Sequence, residues 1–197
     1  MDFNFDKDII LEDERVQLRP LAITDLNNLL APATSDVKLV QFSPMPIHTK
    51  ELLQKYIENS LAGKTTRERY PFTIFDKQAN AYAGSTSFLF VNNYHRRLEI
   101  GATWLGKDFH RTGLNRHCKF LLLNYAFNEL GFERAEFKTD ERNNASRTAI
   151  EKIGGQFEGI LRSHTLMDDG FRRNTVYYSI LKSEWPAVKQ RFIDSLK

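Results

Sequence analysis

Residues 99–116 read EIGATWLGKDFHRTGLNR. An apolar run ends near Leu105 and a polar loop follows. Apolar residues at Leu114, Cys118, Leu121, Leu122, Tyr125 and Ala126 then set a helical period. The first N–H groups of a helix have no intrahelical partner and carry the positive end of its dipole. Gly113 lets the backbone approach a phosphate closely, and Arg111 and Arg116 add positive charge. Such a segment can act as a pyrophosphate cradle. A glycine before an ordinary helix gives the same pattern, so spacing alone leaves both readings open. Other phosphate motifs are excluded. No G-x-G-x-x-G is present, and Glu58 stands where a Walker loop ending in Gly63-Lys64-Thr65 would need its first glycine.

The elements that must position this loop follow from periodicity and punctuation. Val16–Arg19 alternates as a half-buried strand closed by Pro20, and Thr24 is the expected N-cap of a helix through Leu30. A second helix is expected from Thr49 to Leu61, with Gly63 as its stop. Three β-rich runs at Pro71–Phe75, Ala83–Val91 and Leu98–Leu105, separated by turn-formers, predict an antiparallel meander. The helix from Leu114 to Leu130, ended by Gly131, carries a second apolar face at Phe120, Leu123 and Phe127, as expected for a helix between a sheet and another element. A strand at Ala135 and Phe137 follows. Asn143 or Asn144 then caps a helix that runs to Gly154-Gly155. Strands near Phe157–Leu166 and Thr175–Leu181 flank a turn at Asp168-Asp169-Gly170, and a last helix starts near Ser183 with Pro186 early in it. The sum is a single α+β domain, a mixed sheet with one long crossover helix.

Composition narrows the class. The chain has 197 residues, 41% hydrophobic and 27% charged, enough for one sizeable core. A net charge of +3 without a dense basic stripe does not call for nucleic acid. Cys118 is the only cysteine, which excludes an internal disulfide and a cysteine metal cage. His48, His95, His110, His117 and His164 form no ligand pattern by spacing, so no metal is expected. His164 is expected as an exposed polar residue or at the border of an acceptor pocket, and Phe42, Tyr56, Tyr70 and Phe72 as core or as the lining of a cleft. The first residues lack a basic start before an apolar block, and no apolar run approaches the ~20 residues that span a bilayer. These features predict a cytoplasmic protein with no membrane partner.

The 99–116 segment resembles motif A of the GNAT superfamily of acetyl-CoA-dependent N-acetyltransferases, in its RimJ/RimL-like branch. Similar motifs continue in order at 143–146 (NNAS), 151–154 (EKIG), 158–162 (EGILR), Gly170 leading to 176–179 (VYYS), and 183–185 (SEW). The resemblance covers roughly residues 15–187, leaving 1–14 as a lead-in and 188–197 as the end of the last helix. It implies a GNAT-like, mostly antiparallel sheet flanked by helices, acetyl-CoA as co-substrate, an amine acceptor, and a homodimer as a common assembly.

The family's Q/R-x-x-G-x-G/A pattern falls on His110, Gly113 and Asn115, two of which depart from it. The resemblance implies that His110, Arg111, Thr112, Gly113, Leu114, Asn115 and Arg116 hold the CoA diphosphate, that Trp104 and Leu105 bond its pantetheine arm, and that Asn143 contacts that arm. Where many relatives place a proton-donating tyrosine stands Ile150. Ser146, one turn earlier, matches the serine given this role in RimL-like members; a serine there also serves simply to support a helix start. Glu99 is the available base, or else a solvated strand acid. An enzyme acetylating a protein N-terminus or a small-molecule amine, and a non-catalytic acyl-CoA-binding module, both fit these residues.

Overall fold

A computed structural model describes residues 1–196. Eight strands form one sheet: β1 (Leu11–Glu12), β2 (Val16–Pro20), β3 (Arg69–Asp76), β4 (Ala81–Asn92), β5 (Arg97–Leu105), β6 (Arg134–Asp140), β7 (Gln156–Leu166) and β8 (Arg172–Leu181), in the order β1-β2-β3-β4-β5-β6-β8-β7. All neighbours are antiparallel except β5 and β6, which run parallel and need a crossover. The helices are α1 (Asp25–Ala33), α2 (Lys50–Thr65), α3 (Leu114–Asn124), α4 (Asn144–Lys152) and α5 (Trp185–Leu196). Lys197, in the segment expected to end the last helix, lies outside the described residues. No described helix is long and apolar enough to cross a membrane.

The α+β architecture follows from the alternation of the strands. Phe72, Ile74, Phe88, Leu98, Ile100, Ala135 and Phe137 face one way and pack on Leu114, Cys118, Leu122 and Leu123 of α3 and on Trp185, Val188 and Phe192 of α5. On the other face Leu29, Leu53, Tyr56 and Ile57 of α1 and α2 gather around Trp104. Phe3, Phe5, Ile9 and Leu11 of the lead-in are buried in the larger core, and Leu11 pairs with Leu18.

Three local readings need correction. Thr24 sits at the cap position of α1 but makes no side-chain cap; Asp25 accepts from the Ala22 N–H at 2.9 Å instead. Gly63 does not stop α2, which continues to Thr65. It lies where a Cβ would come 3.0 Å from Arg69 Cβ, so its smallness serves packing against β3. The crossover helix is α-helical only to Asn124; Tyr125–Glu129 forms a π turn before Gly131 reverses the chain at φ 66.

The sheet opens at one place. β5 and β6 pair only through Arg97–Glu99 and Arg134–Glu136, although β5 runs on to Leu105 and β6 to Asp140. Beyond Glu99 the β6-facing edge of β5 has no partner strand. Here β5 also carries a bulge. Ser87 pairs with Gly101 and Ser85 with Trp104, so two residues, Ala102 and Thr103, oppose Thr86. Ala102 takes a left-handed φ of 47 to make it.

Candidate functional site

The parted strands point their C-terminal ends at two helix starts. The β5–α3 loop begins at Gly106, whose N–H donates to Ala83 O at 2.8 Å, and tightens into a 3-10 turn over Lys107–Phe109. Arg111 at φ 62 and Gly113 at φ 88 then turn the backbone so that α3 begins facing the gap. Arg111, Thr112, Gly113 and Arg116 are exposed, and a Cβ built on Gly113 would meet nothing within 4 Å. Leu114 N–H is held by Thr112 Oγ1 at 3.4 Å and Arg116 N–H by Gly113 O at 2.8 Å. The exposed backbone of the loop ahead of these two groups, beside two guanidinium side chains, suits a diphosphate. Asn115 adds a buried Oδ1 that lacks a hydrogen-bond partner among the described residues.

His110 does not join that surface through its ring. Its Nε2 lies 2.9 Å from Leu105 O and ties the loop back to the end of β5. Trp104 and Leu105 are buried, and their backbone lies on the part of β5 that has left β6. An extended, amide-bearing ligand could complete that ladder as a strand would.

Across the gap, β6 ends at Asp140 and α4 starts at Asn144. Asn143 caps α4, its Oδ1 accepting from Ser146 N–H at 3.0 Å. Ser146 is half-buried at the first turn of that helix. Ile150 is buried against Gly155, where a Cβ would lie 2.5 Å from Ile150 Cγ2.

Glu99 is not a solvated strand acid. It is 6% exposed, and Lys138 Nζ lies 2.7 Å from its Oε2. Burial pushes its carboxyl above the usual glutamate range, and Lys138 partly opposes this. Gly101 makes room for it, since a Cβ there would lie 2.9 Å from Glu99 Oε1. Lys138 also sits 4.9 Å from the ring centres of Phe90 and Tyr177. Spacing carries a signal for Lys138: if Ala135 and Phe137 face the core, Glu136, Lys138 and Asp140 must share the opposite face.

Of the four aromatics, Tyr70 and Phe72 are core, and Tyr56 points from α2 onto the sheet, edge-on to Trp104. Phe42 reaches the open face of the sheet: its carbonyl accepts from Arg173 Nη1 at 2.7 Å, and the Arg142 guanidinium lies 5.7 Å from its ring. His164 is exposed. The expectation of no ligand cluster among the histidines needs correction. His117 Nδ1 lies 2.7 Å from Asp13 Oδ2, with Glu14 beside them, although 104 positions separate the first pair. Asp13 already accepts from the N–H groups of Arg15 and Val16, so the contact clips the β1–β2 turn to α3 and we assign it no ion.

The family described as "Acetyltransferase (GNAT) domain" matches residues 15–156. YdaF of Bacillus subtilis (strain 168), named as a candidate ribosomal N-acetyltransferase, is 35% identical over 106 residues, which cover 54% of this chain and 57% of that protein. The matched stretch is thus little more than half of that relative's length. A crystal structure of a GCN5-related N-acetyltransferase from Brucella melitensis superposes with a TM-score of 0.89 at 27% identity, covering 97% of this chain and 86% of the other. A candidate acetyltransferase from T. thermophilus superposes with a TM-score of 0.86 at 35% identity, covering 95% of this chain and 97% of the other.

Proposed function

Since the chain belongs to the GNAT acetyltransferase family, we propose that it moves the acetyl group of acetyl-CoA to a primary amine by direct attack on the thioester. The observation that carries this reading is the parting of β5 from β6 beyond Glu99, with the starts of α3 and α4 at its mouth. Thr112, Gly113 and Asn115 offer backbone N–H groups to the diphosphate, Leu114 does so on releasing its long bond to Thr112 Oγ1, and Arg111 and Arg116 offer charge. Trp104 and Leu105 bond the pantetheine arm along the free edge of β5, and Asn143 flanks it from α4. The amine nitrogen bonds the carbonyl carbon as the carbon–sulfur bond breaks. Ser146 gives its hydroxyl proton to the departing thiolate; Glu99, reached through water, takes the proton that the attacking nitrogen sheds, and that proton returns through water to Ser146.

The acceptor is a protein N-terminus or a small-molecule amine, and the name of YdaF makes ribosomal-protein N-terminal peptides the first to try. The enzyme is proposed to work in the cytoplasm, as a homodimer. The test is thiol release from acetyl-CoA with N-terminal peptides, polyamines, aminoglycosides and amino acids. Turnover with one class is expected. CoA binding with no turnover across the panel would leave a non-catalytic acyl-CoA module, the reading that Ile150 favours by lacking a proton to give.

Two variants probe the halves of the site. Gly113→Val forces a branched side chain into φ 88 and fills the open space above the loop. CoA affinity is expected to fall at least about tenfold, measured by calorimetry on the folded variant; unchanged affinity would remove the loop from the site. Ser146→Ala is expected to lower kcat about tenfold or more while the acetyl-CoA KM changes little, as a transition-state role requires. An effect confined to KM would assign Ser146 to binding.

A further inference from the structure

Two buried cations flank the Ala102–Thr103 bulge, one from each face of the sheet. From the α3 side, Lys119 is 7% exposed, and its Nζ donates to Thr103 Oγ1 at 2.7 Å. That hydroxyl also shares a 2.7 Å hydrogen bond with Thr86 Oγ1. From the α2 side, Arg69 is 8% exposed; its Nη2 donates to the Tyr56 hydroxyl at 2.5 Å and its Nε to Ser87 Oγ at 2.9 Å. The Tyr56 hydroxyl lies 3.4 Å from Ala102 O and 3.3 Å from Ser85 Oγ. Both chains of contact end on the two residues of the bulge.

Neither cation has a carboxylate within ion-pair distance among the described residues. The Cys118 thiol beside Lys119 cannot serve, because burial pushes it up to about 12 and keeps it neutral. Burial also draws the Lys119 ammonium down to about 8, as happens to a charge the fold leaves uncompensated. Arg69 has the face of the Tyr56 ring 4.8 Å from its guanidinium, whereas Lys119 has a hydroxyl, and an apolar side chain of similar volume often serves a position like that of Lys119 as well or better. A fold that keeps two such charges at one bulge is spending stability there for another purpose. The bulge lies on the stretch of β5 that has left β6, between Trp104, proposed to bond the pantetheine arm, and Glu99, proposed as the base, so the thioester of the proposed complex falls beside it. As the amine attacks, negative charge grows first on the thioester oxygen and then on the sulfur, and fixed positive charge in a dry site lowers the energy of both.

We propose that Lys119 and Arg69 are positioning residues: they hold the bulge through Thr103 and Tyr56, and their paired positive field stabilises negative charge on the thioester oxygen and on the departing sulfur. This rests on the acetyl-CoA reading, so the test must separate the two.

The thiol of bound CoA can be titrated by the ultraviolet absorbance of its thiolate, which needs no acceptor. Wild type, Lys119→Met and Lys119→Gln are compared at saturating CoA. At pH 7, where Lys119 still carries its charge, the thiolate fraction of bound CoA is expected to be about tenfold higher in wild type than in either variant. Lys119→Gln retains a donor for Thr103, so a deficit shared by both variants identifies the charge rather than the hydrogen bond. Arg69→Met is expected to move the titration in the same direction from the opposite face. Both Lys119 variants are expected to melt at or above the wild-type temperature. With an accepted amine, kcat is expected to fall about tenfold and the acetyl-CoA KM to change less than about threefold. Identical thiol titrations in wild type and variants overturn the proposal, as does a loss of activity that merely tracks a loss of stability. A wild type that binds no CoA removes the acetyl-CoA reading, and this proposal with it.

Discussion

Gly84→Ala is expected to lower the melting temperature by roughly 6–12 °C, the equivalent of about 3 kcal/mol for a chain of this size. A Cβ on Gly84 would lie 2.1 Å from Trp104 O and 3.0 Å from Leu105 Cα, both backbone atoms of the neighbouring strand. A flexible side chain could swing aside; a paired backbone cannot, so β4 and β5 must separate. The strand pushed away is the one whose free edge is proposed to bind the pantetheine arm. Acetyl-CoA affinity should therefore fall as well, even at temperatures where the variant is folded. Thermal unfolding followed by far-ultraviolet circular dichroism, with calorimetric titration of acetyl-CoA, checks both parts. A melting temperature within about 2 °C of wild type would mean that the two strands have slack.

Asp25→Ala is expected to cost about 3 kcal/mol at neutral pH. Asp25 is fully buried and accepts from Arg19 Nη1 at 2.8 Å, Arg19 Nη2 at 2.5 Å, Thr73 Oγ1 at 2.8 Å, Asn28 Nδ2 at 2.9 Å and the Ala22 N–H. It ties α1 to β2 and β3, and its loss strands a guanidinium that keeps only a quarter of its side chain in water. Burial alone would raise the Asp25 carboxyl, but Arg19 and the other donors together hold it below the ordinary aspartate value. A carboxyl lowered on folding stabilises the fold above its unfolded pKa, about 3.9, and that contribution fades as pH falls through the lower folded value. The melting gap between wild type and Asp25→Ala should thus be widest above about pH 5 and narrow steadily below about pH 4. A gap independent of pH would mean that the carboxylate charge contributes nothing.

Local order was legible where one period dominates. The meander β3–β5, the crossover helix and the last hairpin follow from alternation and turn residues, because one face of each element is buried against a single core. Gly63 misled because a glycine that admits a neighbour reads like a glycine that ends a helix; only Arg69 across the gap tells them apart. Thr24 misled because its neighbour Asp25 has better partners on two strands than a cap could offer. At the site, the loop and the start of α3 could be traced from Gly113 and the apolar period after it. The ring of His110 could not be aimed, since its acceptor is a carbonyl. Lys119, Arg69 and Lys138 escaped for a common reason. A charged residue within an amphipathic element is ordinary in sequence, and only tertiary packing reveals whether it meets an acid, a hydroxyl or nothing.

The early parting of β5 from β6 has a mechanical consequence. Among the described residues, strand pairing laces the five-stranded half, β1–β5, to the three-stranded half, β6–β8, through three residue pairs. A guest lying in that seam would share its hydrogen bonds with both halves and act as a rivet between them. The same molecule that is consumed would then brace the scaffold that holds it, and each departure of product would loosen the two plates until the next guest arrives.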